Sequence, residues 1–479
     1  MLSYKTIVEN YFSQPIIIAW RQINLVFSST IFLPVVLLIY YNPVFNGRGF
    51  RNVFLLLASL LFYAWGEPVF VFLMIFSIGI TWFLGLRIVP GKSKAVLALG
   101  TVYHVVILFV FKYLTFALGE WQLLWGKQDM QLSIELPIGI SFFTFQLMSY
   151  LFDIYYGKAE PQRSPLKAGL YVALFPQLIA GPIVRYDYIA RQLEHRRESF
   201  LKLTAGLQRF VIGLGKKVLI ADYLAVVADM CFRSGTELSV LSAWLGAVAY
   251  TLQIYFDFSG YSDMAIGLGK MFGFDFAENF NYPYMAKSVT DFWRRWHISL
   301  SSWFRDYVYI PLGGNKVGRL RWAFNFSVVW LLTGIWHGAN WTFIAWGLIY
   351  LAVLLWEKIL GLDRKAGIFT RVYTLVVIIM AWVIFRADNL SAGVSYIGCM
   401  LGVWGNCFWD DVFITQLSGC YVILLIAVTG SVALINNFFD RLSRTPYVWV
   451  RDVCLLVVFV FSLVKIVSGS YSPFIYFNF

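Results

Sequence analysis

The sequence predicts an all-α fold, a polytopic membrane protein with its helices in a single domain. Of its 479 residues, 59% are apolar, against roughly 45–50% in soluble domains. Only 13% are charged, about half of the usual share of roughly 25%. So few charges cannot cover a soluble protein, which excludes a cytosolic enzyme, a disordered chain and a small disulfide scaffold. The apolar runs lack the alternation of a β-barrel, and helices satisfy the backbone in lipid.

Uncharged or nearly uncharged runs follow one another along the whole chain. They cover residues 22–47, 53–86, 95–111, 136–152, 168–184, 238–256, 322–356, 372–385, 412–439 and 453–464. Residues 206–230 form a further helix candidate, which Lys216 and Lys217 interrupt. Several runs are shorter than the about 20 residues that cross a bilayer. We therefore predict about ten to thirteen embedded helices, including re-entrant or broken ones inside the bundle.

The net charge of +12 has two interpretations. In a soluble protein it would indicate nucleic-acid binding, whereas in a membrane protein it indicates cytoplasmic basic loops and contact with anionic lipids. We favour the second and expect no nucleic-acid partner. Basic clusters at residues 185–217, 316–321 and 358–371 are predicted to be cytoplasmic, and the loop at Asp410 to lie outside. The five cysteines form no CxxC pair and no metal-ligand spacing, so no metal site is predicted.

His337 lies inside the uncharged run at 322–356, and both flanks of that run are basic. If both flanks are cytoplasmic, the segment enters the membrane and returns. At 1.5 Å per helical residue, His337 is about 22 Å from the start of the run and about 28 Å from its end. It would therefore lie deep in the membrane, where ionisable side chains often line functional cavities. Trp336 and Asn340 offer an aromatic wall and a polar amide beside it; packing and catalysis both remain open.

A second candidate site lies at residues 291–307. The spacing predicts one amphipathic helix that begins near Ser288 or Thr290. The residues of its aromatic face are Trp293, Trp296, His297, Leu300, Trp303, Phe304 and Tyr307. The charged residues of its other side include Arg294, Arg295, Arg305 and Asp306. This helix either lies in the membrane interface or places His297 on a cavity wall, with the arginines near headgroups or an anionic ligand.

The other ionisable residues of the apolar regions have simpler interpretations. Asp257 and Asp263 end an apolar run and need partners at that depth. Their six-residue offset does not stack them on one helix face, so we favour structural pairing with buried arginines or hydroxyls over acid–base chemistry. His104 is predicted to pack between helices, and His195 to be a solvated surface residue.

Five ordered segments resemble motifs of the membrane-bound O-acyltransferase (MBOAT) family. They are residues 136–146, 175–185, 255–263, 291–314 and 336–341, and the likeness is greatest to the branch of bacterial alginate and peptidoglycan O-acetyltransferases. The resemblance implies a helical bundle around a central funnel or tunnel, with His337 as the catalytic histidine and His297 as the second active-site residue. It covers a single domain at residues 25–479 and leaves residues 1–24 as an N-terminal extension. Tyr350 stands where many members have a further histidine.

The resemblance also implies the reaction and its location. Acetyl-CoA would be the acyl donor, a substrate and not a bound cofactor, with its phosphates at a basic cytoplasmic mouth. The candidate residues for this mouth are Arg294, Arg295, Arg305 and Lys316. Further candidates for substrate binding are Trp296, Trp336, Asn340, Asp257 and Asp263. His337 would act as a general base, and His297 would orient the donor or stabilise the oxyanion. The acceptor would be a hydroxyl of an envelope or exported polysaccharide, reached through an extracytoplasmic partner protein, and the chain would lie in the inner (cytoplasmic) membrane of a bacterial cell.

Three other functions remain as alternatives. A member of the same family could transfer D-alanyl groups or longer acyl chains, because tunnel shape sets acyl length. A transporter or flippase would also use many helices and deep ionisable residues, although no internal repeat of the usual kind is seen. A non-catalytic scaffold would need the histidines only for packing.

Overall fold

A computed structural model describes residues 31–126, 134–178, 181–365, 367–434, 448–468 and 474. All regular elements within these ranges are helices, which confirms the predicted all-α fold. The N-terminal extension predicted for residues 1–24 lies outside the described residues.

The α-helices are numbered here in chain order. They are α1 (Leu33–Tyr40), α2 (Arg48–Gly66), α3 (Phe70–Arg87), α4 (Lys94–Leu108), α5 (Leu114–Trp125), α6 (Ile140–Tyr155), α7 (Pro165–Ala173), α8 (Phe175–Leu178), α9 (Tyr186–His195), α10 (Phe200–Gly215), α11 (Asp222–Arg233), α12 (Val240–Met271), α13 (Val289–Trp293), α14 (Ile298–Phe304), α15 (Arg319–His337), α16 (Trp341–Leu360), α17 (Ile368–Arg386), α18 (Leu390–Met400), α19 (Asp411–Ser431) and α20 (Val448–Val467). Three π-helical turns continue α4, α10 and α14: Phe109–Tyr113, Lys216–Ala221 and Arg305–Tyr309.

Six helical segments of the described chain are long and apolar enough to cross a membrane. They are α2, α3, the continuous segment Lys94–Trp125, α16, α17 and α19. The protein is therefore a multi-pass membrane protein. Helix α6 is shorter than a span, yet nearly all of its side chains are buried among other helices. Short internal helices of this kind agree with the predicted broken elements, while the total of ten to thirteen embedded helices stays a prediction.

Helices α10 and α12 approach closely through pairs of glycines. A Cβ atom on Gly206 would lie 2.5 Å from the carbonyl oxygen of Gly267, and one on Gly213 would lie 2.5 Å from that of Gly260. Such distances exclude any larger residue without a shift of the backbone. Small residues at matching heptad positions are a common way to pack helices in membranes, where no hydrophobic effect drives association.

The two carboxylates singled out in the sequence lie on α12 and are held in ion pairs. The ammonium of Lys217 lies 2.6 Å from Asp257 and 2.7 Å from Asp222. Asp263 pairs with Arg209 at 2.8 Å and with Lys216 at 2.7 Å. The expected structural pairing is thus present, with lysines as well as an arginine as partners. Such pairs compensate the cost of removing charges from water.

The basic stretch at 185–217 is only partly a loop. Lys217 is buried, and so is Arg196, whose guanidinium donates to Asn52 at 2.6 Å and to the carbonyl of Phe272 at 3.1 Å. Residues held in this way add nothing to the charge of a cytoplasmic loop. Exposed basic residues such as Arg197 also lie in the stretch, and its cytoplasmic location stays a prediction.

Two of the four histidines have the structural roles expected of them. His104 is fully buried and its Nε2 lies 2.9 Å from the hydroxyl of Thr81, so it joins α3 to α4. His195 is exposed at the end of α9. The two remaining histidines, His297 and His337, are both buried.

Candidate active site

His337 is the last residue of α15 and lies at the tip of a helical hairpin. Helix α16 begins only four residues later, and the two helices run antiparallel. A Cβ atom on Gly334 would lie 2.6 Å from the carbonyl oxygen of Phe343, and one on Gly347 would lie 2.7 Å from that of Trp330. The glycines therefore allow backbone contact beside the turn. This arrangement agrees with the segment predicted to enter the membrane and return.

Asn340 fixes the turn between the two helices. Its side-chain oxygen accepts a hydrogen bond from the backbone N–H of Thr342 at 3.0 Å, which caps the start of α16. Its amide nitrogen donates to the carbonyl of Asp388, just beyond α17, at 2.9 Å. Both functions of the amide are used by backbone groups. Asn340 is thus a helix cap, and the predicted role in substrate binding gains no support from these contacts.

The distance along α15 sets the depth of His337. The helix rises from Arg319 for about 27 Å at 1.5 Å per residue. A hydrocarbon layer is about 30 Å thick. His337 therefore lies almost a full membrane thickness away from the basic end of its helix, where Arg319 and Arg321 are exposed.

The imidazole of His337 is enclosed by aromatic rings. It is only 3% exposed, so it does not face lipid. Its ring centroid lies 5.0 Å from that of Trp346, 5.1 Å from that of Trp336 and 5.2 Å from that of Phe385. All three rings meet the imidazole edge to face. This enclosure excludes bulk water and holds the ring in one orientation, as a catalytic base requires.

The single helix predicted for residues 291–307 is wrong. The chain forms two short helices, α13 and α14, with a turn between them that ends at His297. His297 has φ 44°, in the left-handed region that L-residues rarely adopt. Strained conformations of this kind persist where surrounding contacts impose them, and they cluster at functional sites.

Asn279 imposes this turn. Its backbone carbonyl accepts the N–H of Ile298 at 2.9 Å, and its side-chain oxygen accepts the N–H of Ser299 at 3.1 Å. The same oxygen lies 3.2 Å from Nδ1 of His297. The backbone carbonyl and the side chain of Asn279 therefore accept the N–H groups that a continuous helix would have bonded internally. The side chain also fixes the direction of the imidazole ring.

The start of the segment agrees with the sequence in two respects. Ser288 caps α13 by accepting the N–H of Asp291 at 3.0 Å. Asp291 pairs with Arg295 at 3.0 Å, the contact expected from their four-residue spacing. Trp296 is buried against Trp382, with ring centroids 5.0 Å apart. Trp296 therefore packs in the core between helices, which gives no support to the predicted binding role.

Trp336 joins the two buried histidines. Its ring centroid lies 5.9 Å from that of His297 and 5.1 Å from that of His337. The structure thus brings both histidines that the sequence singled out into contact with one indole.

The predicted basic residues of the cytoplasmic mouth fall into two groups. Arg294 and Lys316 are exposed. Arg295 is engaged by Asp291, and Arg305 lies 2.6 Å from Asp306. Burial opposes the ionisation of Asp306, but hydrogen bonds from Arg305 and a neighbouring arginine lower the pKa of its carboxyl below the usual range. Asp306 therefore neutralises part of the charge of Arg305, and Arg294 and Lys316 are better candidates for an anionic ligand.

Two polar residues that support the site were missed in the sequence. Lys112 donates to the carbonyl oxygen of Trp336 at 2.7 Å. The sequence feature that could have indicated this role is a lone lysine directly after the apolar run 95–111, with further apolar residues after it. Glu357, on α16, is fully buried and accepts the backbone N–H groups of Val289 and Thr290 at 2.7 and 2.9 Å. It follows directly after the uncharged run 322–356, and it caps the segment that leads to His297.

Tyr350, which replaces the further histidine of many family members, is buried in the same aromatic cluster. Its ring centroid lies 4.9 Å from that of Trp293 and 5.1 Å from that of Trp346. The position therefore links the wall beside His337 to α13. Tyr350 contributes packing here.

Comparison with known proteins agrees with this arrangement. The sequence profile of MBOAT, the membrane-bound O-acyltransferase family, matches residues 162–396, a range that contains His297 and His337. A probable alginate O-acetylase of Pseudomonas putida is 40% identical, over 95% of this chain and 100% of the relative. A probable alginate O-acetylase of Azotobacter vinelandii is 38% identical over the same shares. The peptidoglycan O-acetyltransferase of Helicobacter pylori is 34% identical, over 94% of this chain and 95% of the relative. The chain therefore belongs to the membrane-bound O-acyltransferase family, and it is an acyltransferase.

Proposed function

We propose that this protein transfers an acetyl group from cytoplasmic acetyl-CoA to a hydroxyl of an envelope or exported polysaccharide, either alginate-like or peptidoglycan. The observation that carries the proposal is the pair of buried imidazoles that both contact Trp336, one of them at the tip of the hairpin formed by α15 and α16. The printed names of the relatives, alginate O-acetylase and peptidoglycan O-acetyltransferase, support the acetyl group and the class of acceptor.

In the proposed reaction His337 is the general base. It takes the proton from the acceptor hydroxyl while the hydroxyl oxygen attacks the thioester carbonyl. The tetrahedral intermediate collapses as the bond from carbon to sulfur breaks, and the proton passes from His337 to the departing CoA sulfur. The products are an acetyl ester and free CoA. General base catalysis of this kind contributes roughly 10²–10⁴-fold to the rate.

The hydrogen bonds of Asn279 define what His297 can do. The side-chain oxygen of Asn279 accepts a hydrogen bond from the backbone N–H of Ser299. The same oxygen therefore also accepts a hydrogen bond from Nδ1–H of His297. In a neutral imidazole the other nitrogen, Nε2, is then an acceptor. His297 would therefore orient the donor or the acceptor by accepting a hydrogen bond. Oxyanion stabilisation, which needs a donor, is the weaker of the two roles considered for it.

The depth of His337 suggests how acetyl crosses the membrane while CoA does not. The nucleotide and phosphates of acetyl-CoA are polyanionic and would stay at the basic cytoplasmic face, near Arg294 and Lys316. The pantetheine arm would extend through a central funnel toward His337. On the opposite face, an extracytoplasmic partner protein would carry the acetyl group onward to the polymer. This arrangement requires the inner (cytoplasmic) membrane of a bacterial cell.

The test compares His337→Ala with His195→Ala, a matched control that removes an exposed imidazole. A strain that lacks the chromosomal copy expresses each full-length variant, and the O-acetyl esters of its polysaccharides are measured by mass spectrometry. Purified variants are assayed in parallel for release of CoA from radiolabelled acetyl-CoA. We expect His337→Ala to lose both activities at normal protein levels, and His195→Ala to keep them.

The same experiment separates the alternatives. Unchanged acetyl esters in the His337→Ala strain would refute the catalytic assignment. Loss of D-alanyl or longer acyl esters, with acetyl esters intact, would keep the family chemistry and overturn the proposed acyl group. A transporter or scaffold would release no CoA in a His337-dependent way.

A further inference from the structure

Lys112 is a charged residue in the interior of a membrane-spanning helical segment. It lies in the π-helical turn Phe109–Tyr113, within the continuous segment Lys94–Trp125. At 1.5 Å per residue it is about 27 Å from the start of that segment. Ionisable side chains within apolar membrane segments are costly, and they are found paired or at functional sites. The proposed reaction gives Lys112 no part.

The ammonium of Lys112 binds directly beside the candidate base. Its Nζ donates to the carbonyl oxygen of Trp336 at 2.7 Å and to the hydroxyl of Ser141 at 3.2 Å. It also lies 5.7 Å from the centroid of the Trp336 ring. Trp336 is the residue before His337, and its indole contacts the imidazoles of both His297 and His337. The ammonium of Lys112 thus contacts both the backbone and the side chain of Trp336, the residue that contacts both His297 and His337.

The C-terminal end of α15 is stabilised by a neighbouring cation. The last four carbonyls of a helix lack partners within the helix, and the helix dipole places partial negative charge there. Lys112 supplies a charged donor to the carbonyl of Trp336. Tyr113, the next residue, donates its hydroxyl proton to the carbonyl of Ile335 at 2.7 Å. Consecutive side chains of the π-helical turn therefore hold consecutive carbonyls of α15, and π-helical turns often occur at functional sites.

We infer that Lys112 is a positioning residue for His337, an inference that rests on the proposed function. It anchors the peptide bond that precedes His337 and fixes the indole that contacts both His337 and His297. Hydrogen bonds from a charged donor are about twice as strong as neutral ones. The lysine therefore holds the base within reach of the thioester more firmly than a neutral side chain would. It acts through Trp336 and touches no substrate.

Lys112→Met tests the inference because it keeps a long, unbranched side chain and removes the charge and the donor. The matched control is Lys94→Met, the same substitution at an exposed position on the same helical segment. Full-length variants in lipid nanodiscs are assayed for acetyl transfer, with kcat and KM for acetyl-CoA normalised to folded protein. A displacement of about 1 Å in a catalytic group costs about 10²-fold in rate. We expect Lys112→Met to lower kcat to this extent with KM unchanged, and Lys94→Met to change neither.

Two further variants keep the test decisive. Lys112→Arg retains the cation and should recover most of kcat, whereas Tyr113→Phe removes a neutral bond to Ile335 and should lower kcat less than Lys112→Met does. If Lys112→Met does not fold, Lys112→Gln takes its place, with a neutral donor and the same expected loss in kcat at constant KM. An unchanged kcat per folded molecule in Lys112→Met or Lys112→Gln would overturn the inference and leave Lys112 a purely structural residue.

Parallel measurement of His337→Ala separates the two proposals. If His337→Ala is inactive while Lys112→Met retains the full kcat, the positioning role fails and the catalytic assignment stands. If His337→Ala itself retains transfer, the proposed function fails, whatever the result at Lys112.

Discussion

Gly347 on α16 sets the separation between α16 and α15, the helix that ends at His337. Replacing this glycine with a larger residue should therefore move the histidine. A Cβ atom at Gly347 would lie 2.7 Å from the carbonyl oxygen of Trp330 and 3.3 Å from Cα of Gly334. Ordinary van der Waals contact begins near 3.4 Å, so Gly347→Ala must widen the hairpin by the difference, about 0.7 Å. The obstructing atoms belong to the backbone and cannot rotate away. The shift therefore passes to the tip of the hairpin, where His337 lies.

The expected cost has two parts. Overpacking of a close contact destabilises a protein by about 1–3 kcal/mol. A shift of this size at a catalytic group lowers the rate by about 10–100-fold, since a displacement of about 1 Å costs about 10²-fold. Gly347→Ala should therefore lower both the midpoint of thermal unfolding and the kcat of acetyl transfer. The rate should fall even at temperatures where the variant is fully folded.

Gly79→Ala is the matched control for Gly347→Ala. Gly79 lies inside the spanning helix α3, and a Cβ atom there meets no atom within 4 Å. Alanine has the higher helix propensity by about 1 kcal/mol. Gly79→Ala should thus leave kcat unchanged and be neutral or slightly stabilising. A Gly347→Ala enzyme with the kcat and unfolding midpoint of the unmodified chain would refute this account of the hairpin.

Three more predictions concern groups that hold the site or the cytoplasmic face in place. Asn279→Ala removes the acceptor that fixes His297. The buried donors left unpaired should each lower the free energy of unfolding by about 1–3 kcal/mol, and kcat should fall. Unchanged kinetics would contradict the role given to the Asn279 side chain. Glu357→Gln keeps the shape of the side chain but replaces one carboxylate oxygen with a donor, so one of the two N–H groups at the start of α13 loses its acceptor. The midpoint of thermal unfolding should fall, and amide hydrogen exchange in α13 should become faster. At Glu198, burial opposes ionisation, but hydrogen bonds from Arg48 and a tyrosine lower the pKa to about 2. Its stabilising contribution is therefore present above the unfolded pKa of about 4.3 and is lost as the pH falls toward 2; Glu198→Gln should flatten that part of the stability profile, and an unaltered profile would contradict it.

The helical hairpin that carries His337 could be predicted because it depends on local composition, while the depth of His337 in the membrane stays a prediction. A run without charges between two basic flanks has to enter the membrane and return, and the length of the run fixes how far its middle residue travels. The structure adds the cause of the turn, which is the backbone contact at Gly334 and the cap supplied by Asn340. Glycine and asparagine near the histidine indicated a break, although not which groups they would meet.

The conformation of His297 could not be predicted from periodicity. The aromatic residues from Trp293 to Tyr307 recur at helical spacing, and that spacing carries no information about Asn279, which lies 18 residues before His297. The amide competes for the hydrogen bonds of the segment and breaks the helix there. Periodicity identified the aromatic side of the segment and missed the residue that divides it.

The supporting residues were missed because their partners are backbone groups far away in sequence. Lys112 and Trp336 are separated by 224 positions, and Glu357 and Val289 by 68. A side chain that binds a carbonyl or an N–H leaves no matching residue type for a sequence pattern to reveal. Arg196 and Lys217 also bind groups far away in sequence, the carbonyl of Phe272 and the carboxylate of Asp257.

Helix α16 links the surroundings of both histidines. At its start, the cap by Asn340 fixes the turn after His337; one turn later, Trp346 lies against the imidazole. Near its end, Glu357 holds the N-terminus of α13, the helix that leads to His297. A single rigid element therefore sets the position of the turn that carries one imidazole and of the segment that carries the other. Catalysis by two groups requires that their separation stay constant, and a shared helix achieves this more reliably than two independent loops would.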